Sequence, residues 1–210
     1  MNNSESFYTV VEKRRSVRNF KAQSIEQEKL DRILECGLKA PSHNHMREWH
    51  YILLRDEGVR KDILENSGAI NRKSDRQYLD SLLANMHDEN QRQVYSYSVP
   101  IQERLLLTAP EILLVCFGMN RKLQECESLY NLNNFASAWL VIENILLAMA
   151  AEGLYGVTMV PFRTDRIKNI LGMPDNIEIA TFIPFGYPQK EPALTQIKKE
   201  LKDVVHINKW

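Results

Sequence analysis

One long apolar stretch limits the folds open to this chain more than any other feature. NNFASAWLVIENILLAMAAEGLYG, Asn133 to Gly156, contains about 20 largely apolar residues, which is the length of a membrane-spanning helix. Glu143 and Asn144 lie in its middle and no basic residues flank it, so a membrane span is disfavoured. Gly153 is a natural helix end. The stretch therefore predicts a helix buried on most sides, in a core or at a subunit interface.

Helix and strand patterns alternate along the rest of the chain. Helical spacing predicts a first helix ending in EKRR and a second that begins with Ser24 and Gln27 in capping-box register and stops before Pro41. RTDRIKNILGMP predicts a short helix capped by Thr164 and ended by Gly172. WHYILLRD, APEILLVCFGM and IEIATFIPFGYP are typical of largely buried strands. This mixture indicates an α+β domain with helices on the faces of a mixed sheet.

Length, charge and cysteine usage set the broad class. The 210 residues predict one domain, 1–210, with a polar helical insertion around 58–100 and a C-terminal extension around 189–210. With 27 basic and 27 acidic residues, the chain has no global field for nucleic acid or an anionic membrane, so neither is expected as a partner. Three cysteines without a C-x-x-C pair, and no signal-peptide pattern, favour the cytoplasm.

RRSVRNF, Arg14 to Phe20, is the strongest candidate for local recognition of an anion. Its three arginines repel one another unless they are solvated or share an anion. One interpretation is a solvated helix end. In the other, Arg14, Arg15 and Ser16 hold a phosphate with forked donors and a hydroxyl. Arg18 then meets a second electron-rich group, and the residues alone leave the two interpretations nearly tied.

A polar loop, APSHNHMREWHY, leaves the second predicted helix. His43 and His45 lack an Asp, Glu or Cys at a matching short spacing, so no metal site is predicted. A structural turn anchored by Trp49 and a ligand-binding loop both remain open. The chain has neither G-x-G-x-x-G nor G-x-x-x-x-G-K-[ST], so a bound nucleotide would need arginines to hold its phosphate.

Taken in order along the chain, five motifs resemble those of the nitroreductase family of flavin enzymes. They are RRSVRNF, the APSHNHMREW loop, the apolar helix ending in AAEGLYG, the VPF connection and the FGYP strand end. The resemblance implies a homodimer whose α+β domain, with a mixed, mainly antiparallel sheet, is completed by dimerisation around two FMN molecules at the interface. It also implies ping-pong hydride transfer from NAD(P)H through flavin N5 to a nitro compound, a quinone or a similar acceptor.

The resemblance assigns residues of the RRSVRNF stretch to the two ends of FMN. Arg14, Arg15 and Ser16 match the residues that bind the phosphate and the ribityl chain. Arg18 matches the residue at the pyrimidine edge, where a cation stabilises the reduced flavin. The basic residues that match the remainder of the phosphate site, near the C-terminus, are Lys198 and Lys199.

Two further segments are assigned in the same way. Met159, Val160 and Pro161 match the segment whose backbone runs beside flavin N5, and Val160 is the expected N–H donor. Arg18 and Val160 are therefore the expected catalytic positions. The cofactor contacts expected from the other subunit are Pro41, Ser42, Asn44, His45 and Arg47.

The chain also departs from the family pattern. Arg47 and Glu48 replace the usual Gln and Pro before Trp49, which makes the pocket more charged and suggests a different acceptor preference. Pro161 stands where many relatives have Gly, and proline has no N–H to donate. A reductive dehalogenase of the same fold and a flavin-binding protein without turnover remain alternatives. The oxygen-dependent enzyme that fragments FMN is less favoured, because Ser16 stands where that enzyme is expected to carry Asp.

Overall fold

The computed structural model describes residues 7–66, 80–81, 83–119, 121, 125–161, 164–193 and 200–210. Its α-helices are α1 Phe7–Lys13, α2 Gln27–Leu38, α3 Glu57–Asn66, α4 Glu89–Thr108, α5 Asn133–Ala151 and α6 Thr164–Leu171. Its strands are β1 Trp49–Leu53, β2 Glu111–Gly118, β3 Tyr155–Gly156 and β4 Ile177–Gly186. Short 3-10 turns cover His43–His45, Leu129–Leu132 and Leu201–Asp203.

The four strands form one antiparallel sheet in the order β1-β2-β4-β3. Side chains of β2 alternate between two hydrophobic clusters, as the period of a strand requires. Leu113 and Phe117 belong to the cluster that includes Ile142 of α5, while Leu114 belongs to the cluster that includes Ile167 of α6. Because helices cover both faces, the strands are continuous apolar runs. The α+β prediction is confirmed.

The long apolar stretch forms α5, as the sequence indicates. Val141, Ile142 and Ile145 are buried, and α5 packs against α2 and β2. In the described part of the chain, one stretch, Leu129–Ala151, is long and apolar enough to cross a membrane, a test that core helices also pass. Gly153 adopts φ 71° just after the helix, so its predicted role as the helix end is confirmed.

Two predicted helix caps are wrong. The first i to i−4 hydrogen bond of α2 runs from the Leu30 N–H to Glu26 O at 3.1 Å. Glu26 is therefore the N-cap, and it makes no side-chain cap bond. Ser24 lies two residues too early for its hydroxyl to reach the first turn. Thr164 is the first helical residue of α6 rather than its cap. Local capping signals therefore place these helices correctly but misplace their first residue.

Within the predicted insertion α3 and the first part of α4 are helical, and residues 85–88 just before α4 are not, while residues 67–79 and 82 lie outside the described residues. The second half of α4 belongs to the core, since Leu106 is fully buried. Buried Arg60 of α3 donates to Leu54 O at 2.5 Å and to Ala109 O at 2.9 Å. These bonds connect α3 to the end of β1 and the end of α4, so α4 is fixed at its C-terminal end.

A glycine allows α2 to approach the sheet closely. A Cβ at Gly37 would lie 2.9 Å from Ile145 Cγ1 and would also collide with Tyr51 Oη. The Tyr51 hydroxyl is buried without a hydrogen-bond partner among the described residues, and burial raises its pKa. This contact sets how closely α2 can pack on β1 and α5.

We expect Gly37→Ala to lower the free energy of unfolding by about 1–2 kcal/mol. Overpacking costs roughly 1–3 kcal/mol, which outweighs the gain of about 1 kcal/mol in helix propensity. Tyr51→Phe removes an unpartnered hydroxyl and should cost less than about 0.5 kcal/mol, or stabilise. Urea unfolding of both single variants and the double variant measures this. Additive effects in the double variant would contradict a direct contact between the two residues.

Candidate functional site

After α1, the stretch Arg14 to Phe20 runs as extended chain beside the short strand β3. Val17 N–H donates to Gly156 O at 3.3 Å, and Ser16 forms a parallel bridge with Gly156. A Cβ at Gly156 would lie 3.0 Å from Phe185 Cβ, so glycine permits this close approach. Arg14 still closes the last turn of α1, since its N–H donates to Val10 O at 3.0 Å. Arg15 and Arg18 flank the residues that are attached to the sheet.

The chain that follows β4, Gln189 to Ala193, lies along the other flank of this stretch, and we call it the strap. Its first N–H, from Gln189, donates to Asn19 O at 3.0 Å. A Cβ at Gly186 would lie 2.9 Å from Pro110 Cγ and 3.3 Å from Phe20 Cβ. Glycine at this position lets the end of β4 reach the arginine stretch.

The arginine stretch, the strap and α4 together line a cavity of about 580 Å³, which we call the arginine cavity. Residues 15–19 and Tyr97 of α4 line it, together with four strap residues, Gln189, Lys190, Pro192 and Ala193. No described carboxylate is among the lining side chains, whereas Arg15, Arg18 and Lys190 are. Its volume falls within the range of about 300–1,000 Å³ that is typical of small-molecule sites. The arrangement suits an anionic ligand.

A smaller cavity of about 270 Å³, the side cavity, adjoins the arginine cavity. Arg18, Asn19 and Gln189 line both spaces. The side cavity continues along α4, where Arg104 and Thr108 line it. Arg18 is therefore positioned to interact with molecules in either cavity.

Arg18 is half-buried, and its Nε has no hydrogen-bond partner among the described residues. Burial lowers the pKa of its guanidinium, and the neighbouring Tyr97 acts in the opposite direction. Arginine still remains charged at neutral pH. An unsatisfied buried donor costs about 1–3 kcal/mol, so this N–H calls for an acceptor from outside the described chain, either a water or a ligand atom.

Arg15 connects the arginine stretch to the strap. Its Nε donates to Ala193 O at 3.1 Å and its Nη1 donates to Arg14 O at 2.6 Å. These two bonds fix the orientation of the guanidinium fork at the cavity wall. Lys198 and Lys199, expected to complete the phosphate site, lie outside the described residues.

The polar loop before β1 lies apart from the arginine cavity within one chain. Asn44, His45 and Arg47 all have positive φ, at 48°, 55° and 52°, a conformation that costs roughly 1–2 kcal/mol per residue. Ser42 Oγ accepts the Arg47 N–H at 3.1 Å, and Ser137 Oγ of α5 accepts the His43 N–H at 3.1 Å. The loop is thus held in a strained shape, with Pro41 exposed at its start.

Asn44 of this loop lines a separate cavity of about 230 Å³, together with residues at the start of α5. Pro41, Ser42, His45 and Arg47 line none of the three cavities. The described residues hold no group of three His, Cys, Asp or Glu side chains that could bind a metal ion.

Met159, Val160 and Pro161 lie on the chain that continues from Gly156. Met159 is buried and pairs with Phe182 through two backbone hydrogen bonds, at 2.8 and 3.0 Å. Val160 is 61% exposed, and its N–H donates to no backbone carbonyl of the described chain. Pro161 is buried. The N–H that the sequence analysis selects is therefore available to a ligand, although this segment does not line the arginine cavity.

The sequence analysis missed the contribution of α4 and the strap. Tyr97 and Arg104 face the cavities from α4, and Gln189 and Lys190 do so from the strap. In α4 the relevant signal is the spacing of the residues that line the cavities, which recur at helical intervals: Tyr97, Ile101, Arg104, Leu105 and Thr108. Because this face mixes polar and apolar side chains, it does not register as a hydrophobic stripe.

Known proteins share this architecture. Residues 11–187 match the model of the Nitroreductase family. Iodotyrosine deiodinase 1 of Homo sapiens is 24% identical over 208 residues, which cover 97% of this chain and 68% of that protein. The solved structure of oxidized iodotyrosine deiodinase, bound to FMN and 3-iodo-L-tyrosine, has a TM-score of 0.74 at 21% identity, covering 97% of this chain and 100% of that chain. The solved structure of nitroreductase A from Vibrio parahaemolyticus has a TM-score of 0.68 at 21% identity, covering 98% of this chain and 76% of that chain.

The antiparallel sheet with helices on both faces and a cavity lined by arginines define the class as an α+β protein with a candidate anion site. The family model spans most of the chain, from residue 11 to residue 187. The chain belongs to the nitroreductase family, and the resemblance found in its motifs is confirmed.

We expect Arg15→Gln to loosen the strap, because the bond from Arg15 Nε to Ala193 O is lost. A lost bond worth about 1 kcal/mol corresponds to roughly fivefold faster amide exchange in the strap if local opening governs exchange. Hydrogen exchange with mass spectrometry on peptides covering the strap measures this. Arg14→Gln is the matched control, since no described bond joins the Arg14 side chain to the strap. Equal amide exchange rates in the strap of both variants would contradict a role for the bond from Arg15 Nε to Ala193 O in holding the strap.

Proposed function

We propose that this protein is an FMN-dependent oxidoreductase that takes electrons from NAD(P)H and passes them to a nitro compound, a quinone or a similar acceptor. The observation that carries the proposal is the buried Arg18 Nε, which has no acceptor in the described chain and borders a cavity of about 580 Å³. Family membership supplies the chemical class. The cations that line this cavity and the Nε of Arg18 support a binding site for a molecule with a phosphate and an electron-rich ring edge.

The residues present fit FMN. Its dianionic phosphate needs forked donors and a hydroxyl, which Arg15 and Ser16 offer at the cavity wall. Arg14 directly precedes them but lines none of the three cavities within one chain. A flavin edge offers carbonyl and ring-nitrogen acceptors, which suit the free Nε of Arg18. No described carboxylate lines the cavity to oppose these anionic groups. Iodotyrosine deiodinase, a relative of similar fold, has been solved with FMN bound.

When bound, FMN supplies the two-electron chemistry, and the protein supplies position and charge. Arg18 provides a fixed positive charge, which favours an electron-rich, reduced ligand because the cation is oriented in advance. The Val160 N–H offers a second donor outside the arginine cavity. No described side chain needs to act as a nucleophile, and the strap shields the arginine stretch from one side.

We propose a homodimer as the active unit, in the cytoplasm. In one chain the strained loop does not line the arginine cavity, which supports a second subunit as the source of the loop's contacts with the cofactor. Exposed apolar side chains support an interface: Tyr8 is 80% exposed and Leu129 is 85% exposed. Residues 200–210, the described part of the C-terminal extension, are exposed throughout, and Ile207 is 82% exposed.

The cytoplasm is proposed because Cys36, Cys116 and Cys126 form no disulfide, which supports a reducing compartment.

Reductive dehalogenation of an aromatic substrate is the second candidate. Iodotyrosine deiodinases match this chain over nearly its full length, at 24% identity for the human protein, and one has been solved with 3-iodo-L-tyrosine. An anaerobic assay that compares iodide release from 3-iodo-L-tyrosine with reduction of menadione separates the two. Iodide release without quinone reduction would replace the first proposal by the second.

The absorption spectrum of the purified protein tests the proposal most directly. A yellow protein that bleaches on anaerobic addition of NADH or NADPH, and recovers with a quinone, is the expected result. A flavin-binding protein without turnover would keep its colour and oxidise no NAD(P)H. A colourless protein that takes up no FMN would overturn the proposal.

Loss of the phosphate contacts should remove the cofactor. We expect the double variant Arg14→Ala, Ser16→Ala to lose bound FMN, because a hydrogen bond to a charged group is worth roughly 1.5–3 kcal/mol. Flavin absorbance after purification measures the occupancy. Arg92→Ala is the matched control, since Arg92 lies on the exposed part of α4 and pairs with Glu89 at 3.1 Å. Full flavin retention in the double variant would contradict the assignment.

Arg18 should affect the rate of reduction more than the affinity for FMN. We expect Arg18→Ala to keep the yellow cofactor and to slow flavin reduction about 100-fold, the usual effect of losing an oriented charged donor. Anaerobic stopped-flow mixing with NADH and NADPH measures the rate. Arg18→Lys keeps the charge and should recover part of it. An unchanged rate in Arg18→Ala would show that this cation plays no part in reduction.

A further inference from the structure

One face of α4 runs over both cavities. Tyr97 lines the arginine cavity, and Ile101, Arg104 and Thr108 line the side cavity. These residues are spaced four, three and four apart, which places them on one side of a helix. The helix that looked like part of a polar insertion therefore provides a continuous wall for whatever occupies the two spaces.

The side cavity has a cation beyond those that FMN needs. Arg104 is exposed and makes no ion pair among the described residues. The described residues that line the side cavity include no carboxylate, while Asn19 and Gln189 add side-chain amides. Two guanidinium groups, of Arg104 and Arg18, thus border a space of about 270 Å³ without a balancing negative charge. Charge complementarity favours an oxyanion there.

Thr108 does not compete for that role. Its hydroxyl donates to Arg104 O at 2.8 Å, so its hydrogen is already used and only lone pairs remain, which repel an anion. Arg104 is then the side chain of α4 that can hold a negative group. The bond also ties Thr108 to the last turns of α4, a part of the helix whose neighbouring side chains are buried.

We propose that the side cavity binds an oxyanion, a carboxylate carried by the electron acceptor, and that Arg104 recognises it. This inference rests on the proposed function and specifies its substrate class as anionic aromatic acceptors. A space of about 270 Å³ lies below the range of about 300–1,000 Å³ for whole drug-sized ligands, so it accommodates one end of a molecule. The rest of the acceptor then extends from the side cavity towards Arg18, at the boundary with the arginine cavity that is assigned to FMN.

Phosphate groups of NAD(P)H share this chemistry, so the experiment must separate acceptor from donor. We would measure steady-state kinetics of the FMN-loaded protein with 4-nitrobenzoate and with 4-nitrobenzamide, two acceptors of matched shape that differ in charge. The variants are Arg104→Gln and Arg104→Lys. Arg92→Gln, on the same helix and away from both cavities, is the control.

For Arg104→Gln we expect KM for 4-nitrobenzoate to rise about tenfold. A tenfold change in KM lies near the lower end of the free-energy range for hydrogen bonds to charged groups. We expect the lower end because Arg104 is exposed to solvent. The KM for 4-nitrobenzamide and for NAD(P)H should stay within about twofold of the starting protein. Arg104→Lys should restore part of the preference for 4-nitrobenzoate over 4-nitrobenzamide, and Arg92→Gln should leave that preference unchanged. Added salt should weaken the preference, because it screens the charge of Arg104.

A rise in KM for NADPH or NADH alone would assign Arg104 to the donor and overturn the acceptor proposal. Equal KM values for the two nitro compounds, insensitive to Arg104→Gln, would overturn it as well. Failure of the proposed function is visible separately, as no turnover of either compound. In that case calorimetric titration with 4-nitrobenzoate still decides the inference: binding that Arg104→Gln weakens supports the subsite, and absence of binding removes it.

Discussion

Backbone hydrogen bonds on both flanks of Arg14 to Phe20 hold the candidate site together. One flank is bonded to Gly156 beside β3, and the other to the strap that leaves β4. Each bond needs two chains in close contact, which Gly156 and Gly186 permit because a side chain at either position would press on its neighbours. The arginines owe their geometry to these contacts. These bonds to the sheet and the strap restrict the motion of Arg14 to Phe20, which would otherwise be a flexible connection.

Charge is distributed unevenly in a chain that is neutral as a whole, with 27 basic and 27 acidic residues. Many described acids pair locally, as Glu152 does with Arg32 at 2.7 Å and Glu178 with Lys168 at 3.1 Å. The described residues that line the two cavities include arginines and a lysine but no carboxylate. A local excess of positive charge is costly unless an anion offsets it. Anion binding therefore follows from where charges are placed rather than from their number.

Local signals predicted the parts of the fold that depend on local physics. The apolar run of α5, its stop at Gly153 and the buried strands could all be read from periodicity. The start of α2 could not, because Glu26 is not among the residue types that favour an N-cap and only the hydrogen bond to its carbonyl identifies it. The position of the strap against Asn19 depends on contacts between residues far apart in sequence. The resemblance to the nitroreductase family assigned roles to residues of RRSVRNF. It gave no indication of Tyr97 or Arg104, because neither lies in one of the five motifs that carry the resemblance.

The exposed half of α4 has a consequence for how such a protein can diverge. Residues 89–97 are exposed, whereas Leu105 and Leu106 further along the same helix are buried. Substitutions near Tyr97 therefore change the wall of the cavity at little cost in stability, since surface positions tolerate replacement. The arginine stretch lacks this freedom, because its backbone is bonded to the sheet edge and the strap. Selection can thus alter which molecule is reduced while the cofactor site stays intact, so new specificities are accessible through single substitutions.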